Sequence, residues 1–477
     1  MRRLILGALS FSVPAVAGAN GLLDAYHLAQ QQDQTFQAAE HQRDASIEAK
    51  PQAWSVLLPQ VTAQGTIERD RQHVLFSQGA SVDSTGAPLS TAPPQWFGSR
   101  TYSLNLTQVV FDWSAFQTVA QSDKQVAEAQ ATYRSAEQSL ITRTAAAYFA
   151  VLSAQDTLRA DLDAQTSFKQ QLEQAQKKFD VGLAAITDVR NAQASYDTAT
   201  ALVISDRTAM DNAKRALSLI IGEPVDAIAE LQPDIPLVAP NPAMPDQWSK
   251  AAGQDNPDLM SAFYAAEVAR KQVSIYRGKY LPTAGLTGGL NRANSSHSTF
   301  GSDTLDDSVA LTLTWNIFQG GLVTSQVRQS VATYQQTQAQ YELERRTVGQ
   351  NTLNDYEGVT SGIAGVKANK QAVISNQTSL DATLVGLKVG TRTEIDVLNA
   401  RQLLAAAQKS YYQSRYAYLN SFLSLKQDAG RLSENDLAEI DQLVAATATP
   451  SPPLSAGETT IPDSMPAPPT SAVPVKP

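Results

Sequence analysis

The chain holds few residues that could carry out acid–base, nucleophilic or metal chemistry. It has no cysteine and four histidines, and none of the histidines has a second ligand-type residue at metal-site spacing: His27, His41, His73 and His297. The sequence contains no glycine-rich phosphate loop, nucleophile elbow or Ser/His/Asp grouping. We therefore expect no catalytic residue, no metal and no cofactor, and we interpret the histidines as solvated or structural.

The other candidate residues lie in two similar turns. Residues 181–192 read VGLAAITDVRNA and residues 389–400 read VGTRTEIDVLNA, so Val, Gly, Asp, Val, Asn and Ala recur at matching places. Each turn lies between a very long helical stretch and a shorter one. The sequence therefore predicts two copies of one structural unit, and the elements that position the turns must be the same in both copies.

The two ends of the chain are predicted to lie outside this repeat. Residues 1–19 combine Arg2 and Arg3 with a short apolar core and small-residue cleavage sites, which is typical of a signal peptide rather than of a membrane anchor. We expect cleavage after Ala19 and a mature start at Asn20. Residues 447–477 are rich in Pro, Ser, Ala and Thr and are expected to be a disordered tail.

Composition narrows the class of protein further. The net charge is −9, and loss of the two arginines with the signal peptide makes the mature chain more acidic, which does not favour binding to nucleic acid. The lack of cysteine excludes disulfides and the acylated cysteine of a lipoprotein. No further stretch reaches 18 apolar residues. If the protein enters a membrane, it must do so with strands.

The repeat predicts six segments. They are the signal peptide, a first repeat at 20–222, a linker at 223–247, a second repeat at 248–430, a short segment at 431–446 and the tail. Each repeat reads helix, strand, loop, strand, long helix, turn, helix. The linker and the segment 431–446 are expected to form an equatorial belt around the middle of a helical rod.

The long helices set the dimensions. Ser114–Lys178 and Leu322–Lys388 would span roughly 98 Å and roughly 100 Å at 1.5 Å per residue. The shorter stretches Leu22–Val56 and Ile186–Ile221, stacked end to end, match one long helix running the other way. Apolar and small residues recur in a heptad-like seam that predicts close coiled-coil packing: Val119, Val126, Tyr133, Leu140, Ala147 and Ala154. An ordinary coiled coil would show the same seam but would not carry strand pairs.

Alternation of apolar and polar residues predicts each pair of strands. Tyr102–Thr107 and, more regularly, Val309–Ile317 alternate apolar with polar residues, as membrane strands do and as half-buried soluble strands also do. The helix-to-strand junctions are marked by Leu58-Pro59 and Leu281-Pro282. Aromatic residues flank the strands, as at membrane interfaces: Trp96, Phe97, Tyr102, Phe111, Trp113, Tyr280, Trp315 and Phe318.

Four strands cannot close a barrel in lipid, where unpaired backbone groups cost several kcal/mol each. Two chains would supply eight strands and three chains twelve, so the protein must form oligomers unless its strands lie outside a membrane. The polar alternating residues suit a water-filled lumen. In such a tube the turns form the far mouth, and symmetry would gather Asp396 into a ring of carboxylates that favours cations. Capping of a helix start is the alternative role for Asp396.

At this point the sequence resembles the TolC family of outer-membrane channel proteins. The resemblance covers residues 20–445, and its most specific parts are LLPQ at 57–60, FDVGLAAITDVRNAQASYDT at 179–198, IFQGGLVTSQV at 317–327 and VGTRTEIDVLNA at 389–400. It implies a mainly α protein with a β-barrel portion: a homotrimer with a shared 12-stranded outer-membrane barrel and a long α-helical coiled-coil barrel in the periplasm. It also implies an exit duct of a tripartite efflux pump or a type I secretion system, with a periplasmic adaptor and an inner-membrane transporter as partners besides outer-membrane lipid.

The resemblance also assigns residues at the helical tips. An acidic residue and a Thr on one hairpin bond to an Arg on the neighbouring hairpin in the family's gate, which matches Thr187, Asp188 and Arg392 here. The Tyr of that gate is replaced by Leu387, and the second constriction position beside Asp396 is Asn399. Closure is therefore expected to depend on Arg392 and on packing of Leu387. The adaptor-docking tips correspond to Val181, Gly182, Leu183, Val389, Gly390 and Thr391.

The residues alone leave two other interpretations of the protein's function open. One is an exported scaffold or adhesin with a soluble sheet, and the other is an exported enzyme, which the empty motif search disfavours. The cargo of a duct is not readable from the sequence.

Overall fold

The computed structural model describes residues 21–72, 95–225, 228–232, 234–296 and 302–444. The predicted signal peptide, Asn20, the tail, His73 and His297 lie outside these residues, as do most of the loops that join the strands. In chain order, the described helices and strands are α1 (Leu22–Gln32), α2 (Gln34–Ile47), α3 (Ala49–Ser55), β1 (Gln60–Gln72), β2 (Gln95–Phe111), α4 (Trp113–Asp180), α5 (Ile186–Ile221), α6 (Pro245–Asp255), α7 (Pro257–Gly278), β3 (Thr283–Ser295), β4 (Ser302–Thr314), α8 (Leu322–Lys388), α9 (Glu394–Asp428) and α10 (Glu434–Asp441).

The two long helices are close to the lengths that the sequence predicts. α4 has 68 residues and α8 has 67. α4 begins where the carboxylate of Asp112 accepts hydrogen bonds from the amides of Ser114 (2.8 Å) and Ala115 (3.3 Å), which satisfies donors that the first helical turn leaves unpaired. α4 packs against α5 and α7, and α8 packs against α9 and α7. Among the described helices, none combines sufficient length with sufficient hydropathy to be a candidate membrane span.

The stretch Leu22–Val56 is not one helix, contrary to the sequence interpretation. Asp33 leaves the helical conformation, and its carboxylate accepts a hydrogen bond from the Phe36 amide at 2.6 Å, so it ends α1 and caps α2. Arg143 of α4 holds the same carboxylate at 3.1 Å. Asn256 makes the matching break between α6 and α7, with its side chain accepting from the Leu259 amide at 2.9 Å.

The four strands form one antiparallel sheet in the order β1-β2-β3-β4, so the central β2–β3 pair joins the two repeats. β4 ends at Thr314, and Trp315–Ile317, which the alternation included in the strand, lie beyond it. The indole of Trp315 donates a hydrogen bond to the Tyr280 carbonyl at 3.0 Å and so ties this segment to the end of α7.

The register separates two unlike faces of the sheet. Leu104 pairs with Ala63 on one side and with Leu290 on the other, so all three share a face. We call this the apolar face, and its other large members include Val61, Ile67, Leu106, Leu305, Val309, Leu311 and Leu313. The opposite, polar face carries Thr62, Gln64, Ser103, Asn105, Thr107, Asn291, Thr312 and Thr314. In the single chain Val309 is 80% exposed, so nothing in the protomer covers the apolar face there.

The main core lies half-way along α4, far from the sheet. Its largest fully buried side chains come from six helices that meet there: Leu22 of α1, Leu140, Tyr148, Phe149, Val151 and Leu152 of α4, Leu217 and Ile221 of α5, Val359 of α8, Leu423 and Leu425 of α9, and Leu437 of α10. The helical rod is therefore held together at its middle.

Residues of the linker and of the C-terminal segment cross this core. Leu231 forms an isolated bridge with Val444, and the Tyr148 hydroxyl donates to the Ala229 carbonyl at 3.3 Å. The carboxylate of Asp441 accepts a 2.6 Å hydrogen bond from the Leu22 amide. The last described helix thus caps the first.

Candidate gate and docking site at the helical tips

The turn between α4 and α5 is a compact helix C-cap. Gly182 has φ of 75°, a left-handed conformation that side chains disfavour. The Leu183 amide donates to the Lys178 carbonyl at 2.7 Å and the Gly182 amide to the Phe179 carbonyl at 2.9 Å. These bonds fix the backbone while Leu183 stays 79% exposed. The turn therefore presents a fixed apolar tip.

The turn between α8 and α9 repeats this geometry. Gly390 has φ of 77°, and the amides of Thr391 and Arg392 donate to the Gly386 carbonyl at 2.9 and 3.2 Å. Val389 is 69% exposed, as its counterpart Val181 is 68% exposed. The six tip residues named from the sequence therefore occupy two similar, outward turns. Their docking role stays a prediction.

The two aspartates that follow the turns cap helix starts in the single chain. The Thr393 amide donates to Asp396 Oδ2 at 2.8 Å and the Thr393 hydroxyl donates to it at 2.9 Å. These bonds, with a smaller contribution from Arg392, hold the pKa of Asp396 below its usual range. Asp188 receives the Ala185 amide at 3.3 Å. Capping thus accounts for both positions within one chain, and a ring of Asp396 carboxylates stays a prediction.

The remaining predicted gate residues lie close to these caps. Asn399 follows Asp396 by one turn of α9 and is exposed, as are Thr187 and Arg392. Within the described residues, the Arg392 guanidinium makes no hydrogen bond or ion pair with Thr187 or Asp188. Leu387 is partly buried against the cluster formed by Leu380, Val397 and Ala400. Leu387 therefore packs inside the α8–α9 hairpin.

A link between the two hairpins joins residues that the sequence did not single out. Glu394, in the first turn of α9, is only 9% exposed. Its Oε1 lies 2.5 Å from Lys178 Nζ of α4, and its Oε2 accepts a hydrogen bond from Gln171 of α4. A buried carboxylate with two partners on another helix is costly to disrupt, because one charge would be left unpaired. Glu394 thus fastens one hairpin to the other.

A second polar link lies further from the tips. Lys409 of α9 lies 2.5 Å from the buried Asp161 of α4 and 3.7 Å from Asp206 of α5. Burial and the neighbouring Asp161 raise the pKa of Asp206 to about 6. Three helices meet at this lysine, so α9 is joined by charge to both helices of the other hairpin. No group of His, Asp and Glu in the described part of the chain could hold a metal ion.

Comparisons with known proteins agree on one family. The sequence pattern of the outer membrane efflux protein family matches residues 25–223 and 248–431, which overlap the two predicted repeats. The chain is 31% identical to the outer membrane protein TolC of Vibrio cholerae serotype O1 over 442 residues, covering 91% of this chain and 95% of that protein. It is 30% identical to the alkaline protease secretion protein AprF of Pseudomonas aeruginosa over 460 residues, covering 94% and 92%.

The fold agrees with a solved structure as well. The outer membrane protein VceC from Vibrio cholerae superposes with a TM-score of 0.73 at 19% identity, covering 86% of this chain and 96% of that one. The expected family and the expected location are therefore confirmed: the chain belongs to the outer membrane efflux protein family, with its sheet in the outer membrane and its helices in the periplasm.

Proposed function

We propose that three copies of this chain form a gated exit duct that leads from an inner-membrane transporter across the periplasm and the outer membrane. The observation that carries the proposal is a four-stranded sheet with two bare edges, continuous with helices of 67 and 68 residues. Three sheets would supply the twelve strands of one closed barrel. The helices, roughly 100 Å long, would continue that barrel through the periplasm.

The faces of the sheet support this arrangement. β1 and β4 are the edge strands, and an open edge in lipid leaves backbone groups unpaired at several kcal/mol each. Pairing β4 of one copy with β1 of the next removes every edge. The apolar face would then contact lipid, and the polar face, with Thr62, Asn105 and Thr312, would line a wet lumen.

The helical tips are proposed as gate and docking site. The exposed Arg392 would bond to Thr187 and Asp188 of a neighbouring hairpin, and Leu387 would stiffen its own hairpin by packing. The apolar tips around Leu183 and Val389 would bind a periplasmic adaptor, since exposed apolar residues on a fixed backbone suit a protein partner.

We propose that the inner-membrane transporter, rather than the duct, selects the cargo. The family is named for efflux, and the relative AprF is named for secretion of an alkaline protease. Both uses require the same continuous passage, so we propose the duct for either.

The assembly is tested by extraction and mass. The full chain should leave membranes only in detergent, run as a heat-modifiable oligomer and have the mass of three chains by light scattering. A monomer that stays in solution without detergent would contradict the proposed duct.

The gate is tested by conductance across planar bilayers. Arg392→Ala removes the proposed bond to Thr187 and Asp188 and should raise the resting conductance above wild type. Arg190→Ala, which removes an exposed arginine of α5 near the other turn, serves as the control and should leave conductance unchanged. Equal conductance of wild type and Arg392→Ala would overturn the gate assignment.

A further inference from the structure

All four cationic side chains of the described strands lie on the apolar face of the sheet. Arg69 and Arg71 are on β1, Arg100 is on β2 and Arg292 is on β3. The register pairs Arg71 with Trp96, Arg100 with Ile67, and Arg292 with Tyr102, all of which share that face. We call these four residues the arginine rim. Its position on the lipid side of the sheet has no role in the duct.

The arginine rim lies at the end of the sheet furthest from the helices. Ten residues separate Val61 from Arg71 on β1, about 34 Å along a strand. A strand tilt of roughly 40° turns this into about 26 Å of height, close to the ~25 Å apolar band of an outer-membrane barrel. Because the helices are periplasmic, the rim lies at the outer leaflet.

Among the described residues, three of the four rim arginines have no ion-pair partner. Arg292 makes a two-bond ion pair with Asp303, at 3.1 and 2.8 Å. Arg69, Arg71 and Arg100 are exposed, and within the described residues none of them has a carboxylate oxygen within 4 Å. The guanidinium carbons of Arg69 and Arg71 lie 5.6 and 5.7 Å from the Trp96 ring centroid, so the indole positions both.

An apolar groove runs directly below the rim on the same face. The groove has a volume of about 410 Å³ and is lined by Ala63, Leu104, Leu290 and Leu305, with Arg292 at its margin. Gly65 and Tyr102 also line it, and a β-carbon at position 65 would lie 3.5 Å from the Tyr102 ring. Its shape and lining suit a hydrocarbon chain whose head group reaches the arginines.

We propose that the arginine rim binds the phosphate groups of an anionic lipid of the outer leaflet, with one acyl chain in the groove. Guanidinium forks match phosphate oxygens in a bidentate way, and a pair formed at the membrane interface is screened less than one in water. Asp307 is the one carboxylate on this face outside the Arg292 pair, so the face keeps a net positive charge. The alternative is that these arginines only extend their charged ends into water. In that case they would bind phosphorylated and unphosphorylated lipids equally. The proposal depends on the outer-membrane location and not on the gate.

The test uses the full chain purified in a non-ionic detergent and measures its unfolding temperature with three probes. These are bis-phosphorylated lipid A, the same lipid with both phosphates removed, and inorganic phosphate. We expect only the phosphorylated lipid to raise the unfolding temperature. An equal rise with the dephosphorylated lipid, or the same rise with inorganic phosphate alone, would overturn the proposal without affecting the duct.

Variants locate the effect on the rim. Replacing Arg69, Arg71 and Arg100 by Gln should weaken binding of the phosphorylated lipid about tenfold or more, which corresponds to about 1.4 kcal/mol or more. Replacing the exposed helical residues Arg207, Arg277 and Arg346 by Gln removes the same charge and should leave binding unchanged. Replacing the three rim residues by Lys keeps the charge but loses the fork, and an intermediate affinity is expected. Full affinity in the Gln variant would overturn the assignment.

Discussion

At the scale of single residues, the helical tips contain carboxylates with different tasks. Asp188 and Asp396 accept hydrogen bonds from the residues that start their own helices. Glu394, only two residues before Asp396, points instead into the contact with α4 and binds Lys178 and Gln171. Local caps stabilise a turn, whereas a bond between hairpins restrains their separation. Of these carboxylates, Glu394 is therefore the one whose loss should free one hairpin from the other within a protomer.

We predict that Glu394→Gln raises the resting conductance of the reconstituted protein. The substitution leaves the Lys178 ammonium without its counter-ion in a half-buried site, which weakens the contact between α9 and α4. Planar-bilayer recordings measure the effect. Glu173→Gln removes an exposed carboxylate from the same part of α4 and is the control. Identical conductance in the two variants would contradict a restraining role for Glu394.

The sequence could indicate Asp188 and Asp396 because a motif repeats around them. It could not indicate the link through Glu394, because the partner residues are 216 and 223 positions away. Read locally, Glu394 is an ordinary acidic residue in the first turn of a helix. Only the packing of α9 on α4 gives it a second role.

At the scale of elements, the lengths of α4 and α8 could be predicted because neither contains a proline, and glycine follows both. The prediction of one helical stretch at Leu22–Val56 does not include the interruption at Asp33. Its signal was present: an aspartate three residues before an apolar Phe36 is a possible cap. At Asn256 a following proline gave the matching signal. Each break separates two consecutive helices, α1 from α2 and α6 from α7.

The contact between α8 and α9 contains two carboxyl groups, Asp355 and Asp428, and burial is the main cause that raises the pKa of each. Burial, followed by the nearby Asp355, raises the pKa of Asp428 to about 7 from an ordinary 3.8. Because the folded-state pKa is raised, this group stabilises the fold fully at pH below the ordinary value. The contribution is lost as the pH rises toward about 7.

We predict that Asp428→Asn makes the unfolding temperature less dependent on pH between about 4 and 7. Asparagine can still donate to Asp355 but never adds a second charge, so the variant should exceed wild type in unfolding temperature at pH 8. Calorimetry at pH 5 and pH 8 measures the difference. Asp211→Asn, at an exposed site of α5, should follow wild type at both values. A wild-type pH slope in Asp428→Asn would count against the raised pKa of Asp428.

At the scale of the whole molecule, the alternating strands could be found from the sequence, but the end of β4 and the register could not. Trp315 and Ile317 continue the alternation, yet the Trp315 indole binds the Tyr280 carbonyl and the chain leaves the sheet. The register pairs strands from separate repeats, which no local pattern encodes. With the register in place, every residue of the sheet is assigned to one of two environments.

We predict that lysine is tolerated on one face of β4 and not on the other. Val309→Lys would put a charge on the apolar face at mid-strand, where lipid makes it cost about 2–4 kcal/mol. Ala310→Lys puts the same charge one residue further on the polar face. Both positions are exposed in the single chain, so a soluble sheet would accept both. Heat-modifiable oligomer in outer-membrane fractions should fall for Val309→Lys alone.

The bond from the Leu22 amide to Asp441 ties together groups 419 positions apart. An exported polypeptide emerges from its amino end. The backbone amides in the first turn of α1 therefore lack this hydrogen-bond acceptor until α10 has also emerged. A product cut short before α10 would keep that turn frayed. Proteases of the compartment could then remove truncated chains before they compete for places in a finished assembly.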